Sequence, residues 1–168
     1  MREPVQIRAE DAADAAAIER MQREVFGPGA YARAAFRVRE QAHHDPAASF
    51  VAMRGGIMIG SVRLTPITVG EQAGYLLGPL MVDPVLKGQG FGKALLAHSI
   101  EAARGAGHAF IVLVGDEPYY GPFGFKRVPP GTVRMPGPVN PARLLVAELR
   151  PGGAEGLAGP VRGVRRPG

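Results

Sequence analysis

An α/β (α+β) fold, with helices packed on a mixed sheet, is what three features of this 168-residue sequence predict. β-prone runs flank Gly55-Gly56, a two-residue hairpin signal. The segment Leu80–Leu96, LMVDPVLKGQGFGKALL, passes from a strand through a proline-marked turn and three alternating glycines into a helix. Ala109–Gly115 is a continuous hydrophobic run, as expected for a parallel strand buried on both faces. Strand, helix and strand in that order predict a right-handed crossover, so parallel pairing joins the antiparallel hairpin in one sheet.

The elements follow from local pattern. Val5–Arg8 alternates as a short strand does, and Glu10-Asp11 opens a helical segment with acids at its positive end. Ile18, Met21, Gln22 and Val25 fall at helical spacing, giving a largely apolar face that stops at Gly27-Pro28-Gly29. A second, shorter helix is predicted over Tyr31–Gln41, with Phe36 its main inward residue and Asp45-Pro46 its end. Strands are predicted near Ser49–Arg54, Ile57–Val69 and Gly74–Val82, with Pro66 interrupting the middle one near its end or at a bulge. After the glycines, Phe91, Leu95, Leu96, Ile100 and Ala103 form an apolar stripe that ends at Arg104-Gly105. Beyond Phe125 come Pro129-Pro130-Gly131, a strand near Thr132–Met135 and a last strand at Leu144–Leu149. The final 18 residues hold six glycines and three prolines, and read as a loose tail or an extended wrap over the domain. The expected organisation is one domain over residues 1–150 with a Gly-, Pro- and Arg-rich tail over 151–168.

Composition narrows the function. No stretch approaches 18 uninterrupted apolar residues, and the N-terminus MREPVQIRAED has no apolar core of a signal peptide, so neither a membrane span nor secretion is expected. With no cysteine there is no disulfide, no thiolate metal site and no cysteine nucleophile, and the cytoplasm is the expected location. The net charge of +5 arises after residue 123, where 8 basic side chains face 2 acidic ones. Those arginines are scattered and lack interleaved aromatics, so they read as a solvated face rather than a nucleic-acid surface. His43-His44, His98 and His108 show no ligand spacing, and no metal is expected.

The glycine-rich segment carries the chemistry. A helix start presents N–H groups with no intrahelical partner, and the macrodipole adds partial positive charge there. Gly88, Gly90 and Gly92 allow close backbone approach to a phosphate, while Lys87 and Lys93 add formal charge. A Walker loop would need a glycine at Lys87 and Ser or Thr at Ala94. A dinucleotide fingerprint would need G-x-G-x-x-G, which Gly88-Gln89-Gly90-Phe91-Gly92-Lys93 does not supply.

Lys87-Gly88-Gln89-Gly90-Phe91-Gly92 does resemble the [Q/R]-x-x-G-x-[G/A] loop of the GNAT superfamily of acetyl-CoA-dependent N-acetyltransferases, with Lys87 where Gln or Arg is usual. The flanking L-x-V-x-P and Ala-Leu-Leu agree, and about thirty residues on Tyr120 with Gly124-Phe125 resembles the family's Y-x-x-x-G-F element. The form G-D-x-x-Y-Y-x-x-F-G-F is similar to a subgroup of predicted bacterial acetyltransferases. The resemblance implies the GNAT fold, a mostly antiparallel central sheet of six to seven strands flanked by about four helices. It implies acetyl transfer from acetyl-CoA to a primary amine of a small molecule or peptide, by direct attack and without a covalent enzyme intermediate. A homodimer is the assembly that family members often form.

The resemblance also assigns roles. Leu80, Met81 and Val82 would offer main-chain groups to the pantetheine arm, with the Val82 N–H near the thioester oxygen, and Lys87–Lys93 would hold the pyrophosphate. Tyr120 takes the place of the general acid. The place where many relatives carry a glutamate base holds Leu76, leaving a water chain, Asp116, Glu117 or a neutral incoming amine; Asp116, at a strand end, joins Tyr120 as a catalytic candidate. A non-catalytic acyl-CoA sensor or interaction module with the same fold is the alternative function.

Overall fold

The computed structural model describes residues 3–27 and 34–164, the side chains of 34–36 excepted. Strand β1 covers Val5–Ala9, and a 3-10 turn at Ala12–Asp14 leads into helix α1, Ala15–Phe26. Asp11 and Asp14 form a reciprocal capping box: the Asp11 side chain accepts from the Ala13 N–H, and that of Asp14 from the Asp11 N–H. Helix α1 ends at Gly27, whose φ of 65° is in the left-handed region. Helix α2 is Ala34–Gln41; its expected start at Tyr31, and the side chain of Phe36, lie outside the described residues, and the inward residue that is described is the fully buried Val38.

Strands β2 (Phe50–Arg54), β3 (Ile57–Val69) and β4 (Gln72–Val82) form a meander. Gly55 and Gly56 join the first two with φ of 57° and 79°, the pair of positive values that a type I′ turn demands. Helix α3 (Phe91–Gly105) crosses to β5 (Phe110–Val114), followed by the short helix α4 (Glu117–Tyr120) and β6 (Lys126–Arg127). The chain closes with β7 (Val133–Arg134), β8 (Leu144–Glu148) and β9 (Gly159–Gly163). Among the described residues the main sheet runs β1-β2-β3-β4-β5-β8-β6, antiparallel except for the parallel pair β4–β5. This is the mixed, mostly antiparallel sheet with four α-helices that the sequence predicts.

Two layers cover the sheet. Leu95, Leu96, Ile100 and Ala103 of α3 pack on Val62, Leu64, Tyr75, Leu77 and Leu113, and each large side chain buried there is worth about 1.5–3 kcal/mol. On the other face Ile18 and Met21 of α1 meet Val51 and Met81, while Val38 of α2 joins Ile67, Leu76, Phe110, Val112 and Val161.

Pro66 does not interrupt β3, contrary to the sequence expectation, for it pairs with Tyr75 inside a strand that runs on to Val69. Its carbonyl accepts from the Val164 N–H, so the side on which proline lacks a donor faces away from β4, just where β9 ends its pairing with Ile67–Val69. The irregularity lies between Val62 and Leu64 instead: Leu64 pairs Leu77 but Val62 pairs Leu80, so β4 carries one extra residue at Gly78-Pro79.

A buried ion cluster ties the start of the chain to the sheet. Arg63 donates from Nε and Nη2 to the two carboxylate oxygens of Glu10 at 2.9 Å each, and His44 Nε2 lies 2.7 Å from Oε2. Burial pushes the Glu10 carboxyl up, but the hydrogen bonds from His44 and Arg63 outweigh it and hold the group below its ordinary value of 4.5. The ionised form therefore stabilises the fold above pH 4.5, and that contribution disappears as pH falls through the lowered value. Arg63→Met, which leaves the carboxylate underpaired, should cost about 3 kcal/mol in urea denaturation at neutral pH, with the gap from wild type closing on acidification. An equal loss at all pH values would place the effect in packing rather than in the charge.

Candidate active site

The loop after β4 is built by its own backbone. The Asp83 N–H donates to Ile59 O at 2.8 Å, and its side chain accepts from the Val85 N–H at 3.0 Å to start a 3-10 turn over Pro84–Leu86. The chain then turns through Gly88 and Gly90, with φ of 85° and 90°, conformations that side chains with a Cβ rarely adopt. Gly90 caps α3 without any side-chain hydrogen bond, so the N–H groups of Phe91, Gly92 and Lys93 point out of the helix start. Lys87, Gly88, Gly90, Phe91, Gly92 and Lys93 all line one cleft, whereas Gln89, counted with them from sequence, is exposed and is not among the lining residues. A Cβ on Gly92 would stand 2.8 Å from the Tyr119 hydroxyl. The bare glycine thus lets that phenol approach the helix start.

The cleft, of about 840 Å³, opens where β4 and β5 part. The two strands pair only at Tyr75 with Ile111 and at Leu76 with Val112, and the extra residue at Gly78-Pro79 then leads β4 away. Leu80, Met81 and Val82 form one wall and Leu113, Val114 and Gly115 the other. Because Asp83 donates toward β3, alternation along the strand turns the N–H groups of Leu80 and Val82 the opposite way, into the gap that β5 leaves open. The Met81 side chain is 1% exposed and packs toward α1.

Tyr120 stands on the opposite wall. Its N–H and that of Tyr119 donate to Asp116 O at 3.1 Å each, which fixes α4, and Gly124 then takes a φ of 96° to lead into β6. The Tyr120 ring meets Tyr119 and Phe125 edge-on, with centroids 4.8 Å and 5.9 Å away. Gly115 makes room for it, since a Cβ there would lie 2.4 Å from the ring. Burial above all, then the nearby Tyr119 and the Asp116 carboxylate, push the Tyr120 phenol up to about 12, with Arg143 acting weakly the other way. Tyr120 thus holds its proton throughout the neutral range.

Asp116 lies at the rim, exposed, with Arg143 Nε 3.2 Å from its carboxylate. It is the only carboxylate among the described residues that line the cleft. Leu76, where a base would stand, is fully buried on the α2 face and does not line the cleft. Of the buried acids, Glu10 belongs to Arg63 and His44, and Asp14 is held by Arg8 at 2.8 Å and 2.9 Å. No group of His, Asp and Glu able to hold a metal ion occurs among the described residues.

Sequence reasoning singled out neither Phe26, Arg39 nor Arg143 as residues of the cleft. Gln22, Val25 and Phe26 of α1 and Arg39 of α2 line it, as does Arg143 from the turn before β8. The helical spacing of Gln22 and Val25 marked an inward face but not a cavity. Arg39 gave no signal, because an arginine on a short helix among other charges looks solvated.

With this geometry in view, residues 15–125 match the family described as Acetyltransferase (GNAT) family. The uncharacterized N-acetyltransferase YhbS of Escherichia coli K12 is 29% identical over 156 residues, spanning 91% of this chain and 92% of its own length. The crystal structure of Escherichia coli YhbS in complex with CoA superimposes with a TM-score of 0.79 at 28% identity, covering 95% of this chain and 89% of that one. A GNAT family acetyltransferase from Brucella melitensis in complex with acetyl-CoA gives 0.61 at 29% identity, covering 85% and 95%.

The seat of Tyr120 is directly testable. Gly115→Ala forces the ring aside and should lower stability by about 1–3 kcal/mol in urea denaturation, with a changed near-ultraviolet tyrosine dichroism. An unchanged midpoint and spectrum would mean that the ring does not depend on the glycine.

Proposed function

This chain belongs to the GNAT acetyltransferase family, and from that premise we propose that it transfers an acetyl group from acetyl-CoA to a primary amine of a small molecule or peptide by direct attack. The observation that carries the reading is the single cleft that joins the bare start of α3, the free N–H groups of β4 and the Tyr120 phenol. The residues suit the cosubstrate. Gly88 and Gly90 in left-handed conformations and the uncapped N–H groups of α3 suit a pyrophosphate, with Lys87 and Lys93 adding charge. The splayed β4 edge suits an extended amide-bearing arm, which can pair with it as a further strand would.

Acetyl-CoA supplies an acyl group already activated as a thioester. The Val82 N–H donates to the carbonyl oxygen as charge gathers there, and being fixed in a sheet it needs no reorganisation at that moment. Tyr120 donates its hydroxyl proton toward the departing sulfur. A phenol near 12 releases a proton to a thiolate of ordinary pKa about 8.5 at a cost of roughly 5 kcal/mol, so transfer accompanies C–S cleavage rather than preceding it. Asp116 accepts the proton leaving nitrogen, through water, and Arg143 keeps its carboxylate at the rim.

Leu76 in place of an acid favours a second reading, an acyl-CoA sensor without catalysis. Calorimetric titration with CoA and thiol release across an amine panel separate the two, since the sensor binds but releases no thiol. For the enzyme, Tyr120→Phe should lower kcat about 100-fold and leave the CoA dissociation constant unchanged; an undiminished kcat would remove Tyr120 from its role. Because Asp116 takes the proton only as the amine attacks, the amine must arrive neutral, and kcat/KM for the amine should rise with pH up to the amine's own pKa. A plateau well below that value would mean that a group of the protein takes the ammonium proton before attack.

A further inference from the structure

The chain has 15 aspartates and glutamates, and every one of them lies within residues 3–27 or 34–164. The segment 28–33 between those stretches reads PGAYAR and adds none. Of all these acids only Asp116 lines the cleft, and Arg143 holds it at the rim. The acids of neighbouring elements are engaged elsewhere: Asp83 accepts from the Val85 N–H, Glu117 pairs with Arg127, and Asp45 accepts from the Tyr75 hydroxyl. The cleft is therefore poor in partners for positive charge.

Its lining on the acceptor's side is mostly apolar. Helix α3, which follows the phosphate loop, packs on the sheet face of Leu77 and Leu113, whereas α1 packs on the opposite face, with Val25 against the cluster of Met81. The cleft passes through the sheet where β4 and β5 part, so a cosubstrate whose phosphates sit at α3 leaves the α1 face to the amine. On that face the cleft is lined by Val25, Phe26, Met81 and Val114, with Gln22 contributing an amide. Arg39 of α2 lines the cleft too, and a guanidinium has no acceptor to offer an ammonium.

On this basis, and resting on the transferase reading above, we infer that the acceptor carries a single amino group on an apolar body, as an alkylamine or arylalkylamine does, and is not a polycation such as a diamine, polyamine or aminoglycoside. A second ammonium drawn into the cleft gives up its water to aliphatic walls and meets no unpaired carboxylate. An alkyl chain loses nothing by the same transfer and gains with each methylene buried. The amino group that reacts escapes the penalty, because it attacks in its neutral form.

The test compares hexylamine with hexamethylenediamine and with aminocaproate, all of one chain length, by thiol release from acetyl-CoA. Hexylamine is expected to exceed the diamine in kcat/KM by about 100-fold. From propylamine to hexylamine the value should climb about 4-fold per methylene. Gln22→Glu adds a carboxylate to the α1 wall with little change of shape and should narrow the gap between hexylamine and the diamine about 10-fold, with CoA titration confirming that the variant is folded. A diamine as fast as hexylamine overturns the inference while leaving the transferase reading intact. So does an aminocaproate that outruns hexylamine, since the body would then be read by charge, and so does a rate indifferent to chain length. A gap unmoved in folded Gln22→Glu overturns the placing of the acceptor against α1. If acetyl-CoA binds but neither these amines nor the wider panel release thiol, the transferase reading fails and this inference with it. Should Gln22→Glu fail to fold, the wild-type ratios and the chain-length series decide.

Discussion

Strands β4 and β5 share two paired positions before the extra residue at Gly78-Pro79 draws β4 aside, and the cleft exists because of that parting. A fully paired parallel sheet would bury the N–H groups of Leu80 and Val82 against a neighbour. Here they face open space at a fixed angle, held from behind by β3 through pairs such as Ser61 with Met81. The same bulge keeps Leu77 and Leu80 on the α3 core in spite of their odd spacing. One inserted residue thus leaves the core intact while freeing a strand edge, which is the usual function of bulges beside functional sites.

The remaining parts are arranged around this edge by close approaches that only glycine permits. Gly92 admits the Tyr119 hydroxyl to the start of α3, Gly115 seats the Tyr120 ring, and Gly60 lies where a Cβ would meet Leu95 and Met81 O at 2.9 Å. Tyr119, against Gly92 on one side and the Tyr120 ring on the other, thus links the start of α3 to the phenol. The cost is backbone entropy at each glycine, which the packing of α3 and β5 into a common core offsets.

The parts of this arrangement dictated by backbone geometry were legible in the sequence. Gly55-Gly56, the glycines of the phosphate loop and the run Phe110–Val114 each leave a local signature that few other conformations satisfy. What was not legible depends on distant partners. Pro66 suggested a break, yet β9, about a hundred residues later, stops its pairing just where the proline lacks its N–H. Strand β9 itself is hidden by glycine and proline at Gly159-Pro160, and its place is set by Val161 and Leu157 reaching the core. Arg39 is invisible for the same reason: only the fold brings it to the cleft.

β9 also bears on the missing base. Leu76 shares its buried cluster with Ile67, Phe110 and Val112, and Val161 of β9 belongs to the same cluster. A carboxylate at position 76 would be taken out of water on a face that β9 and α2 have sealed, at a cost of several kcal/mol without a paired cation. The neighbouring β3 arginine, Arg63, is already committed to Glu10. Once β9 covers this part of the sheet, a leucine there is the stable choice. Asp116 at the rim, beside Arg143, is the only carboxylate among the described residues that line the cleft. The closure of the core by the last strand and the absence of an acid on β4 are then two consequences of one packing arrangement.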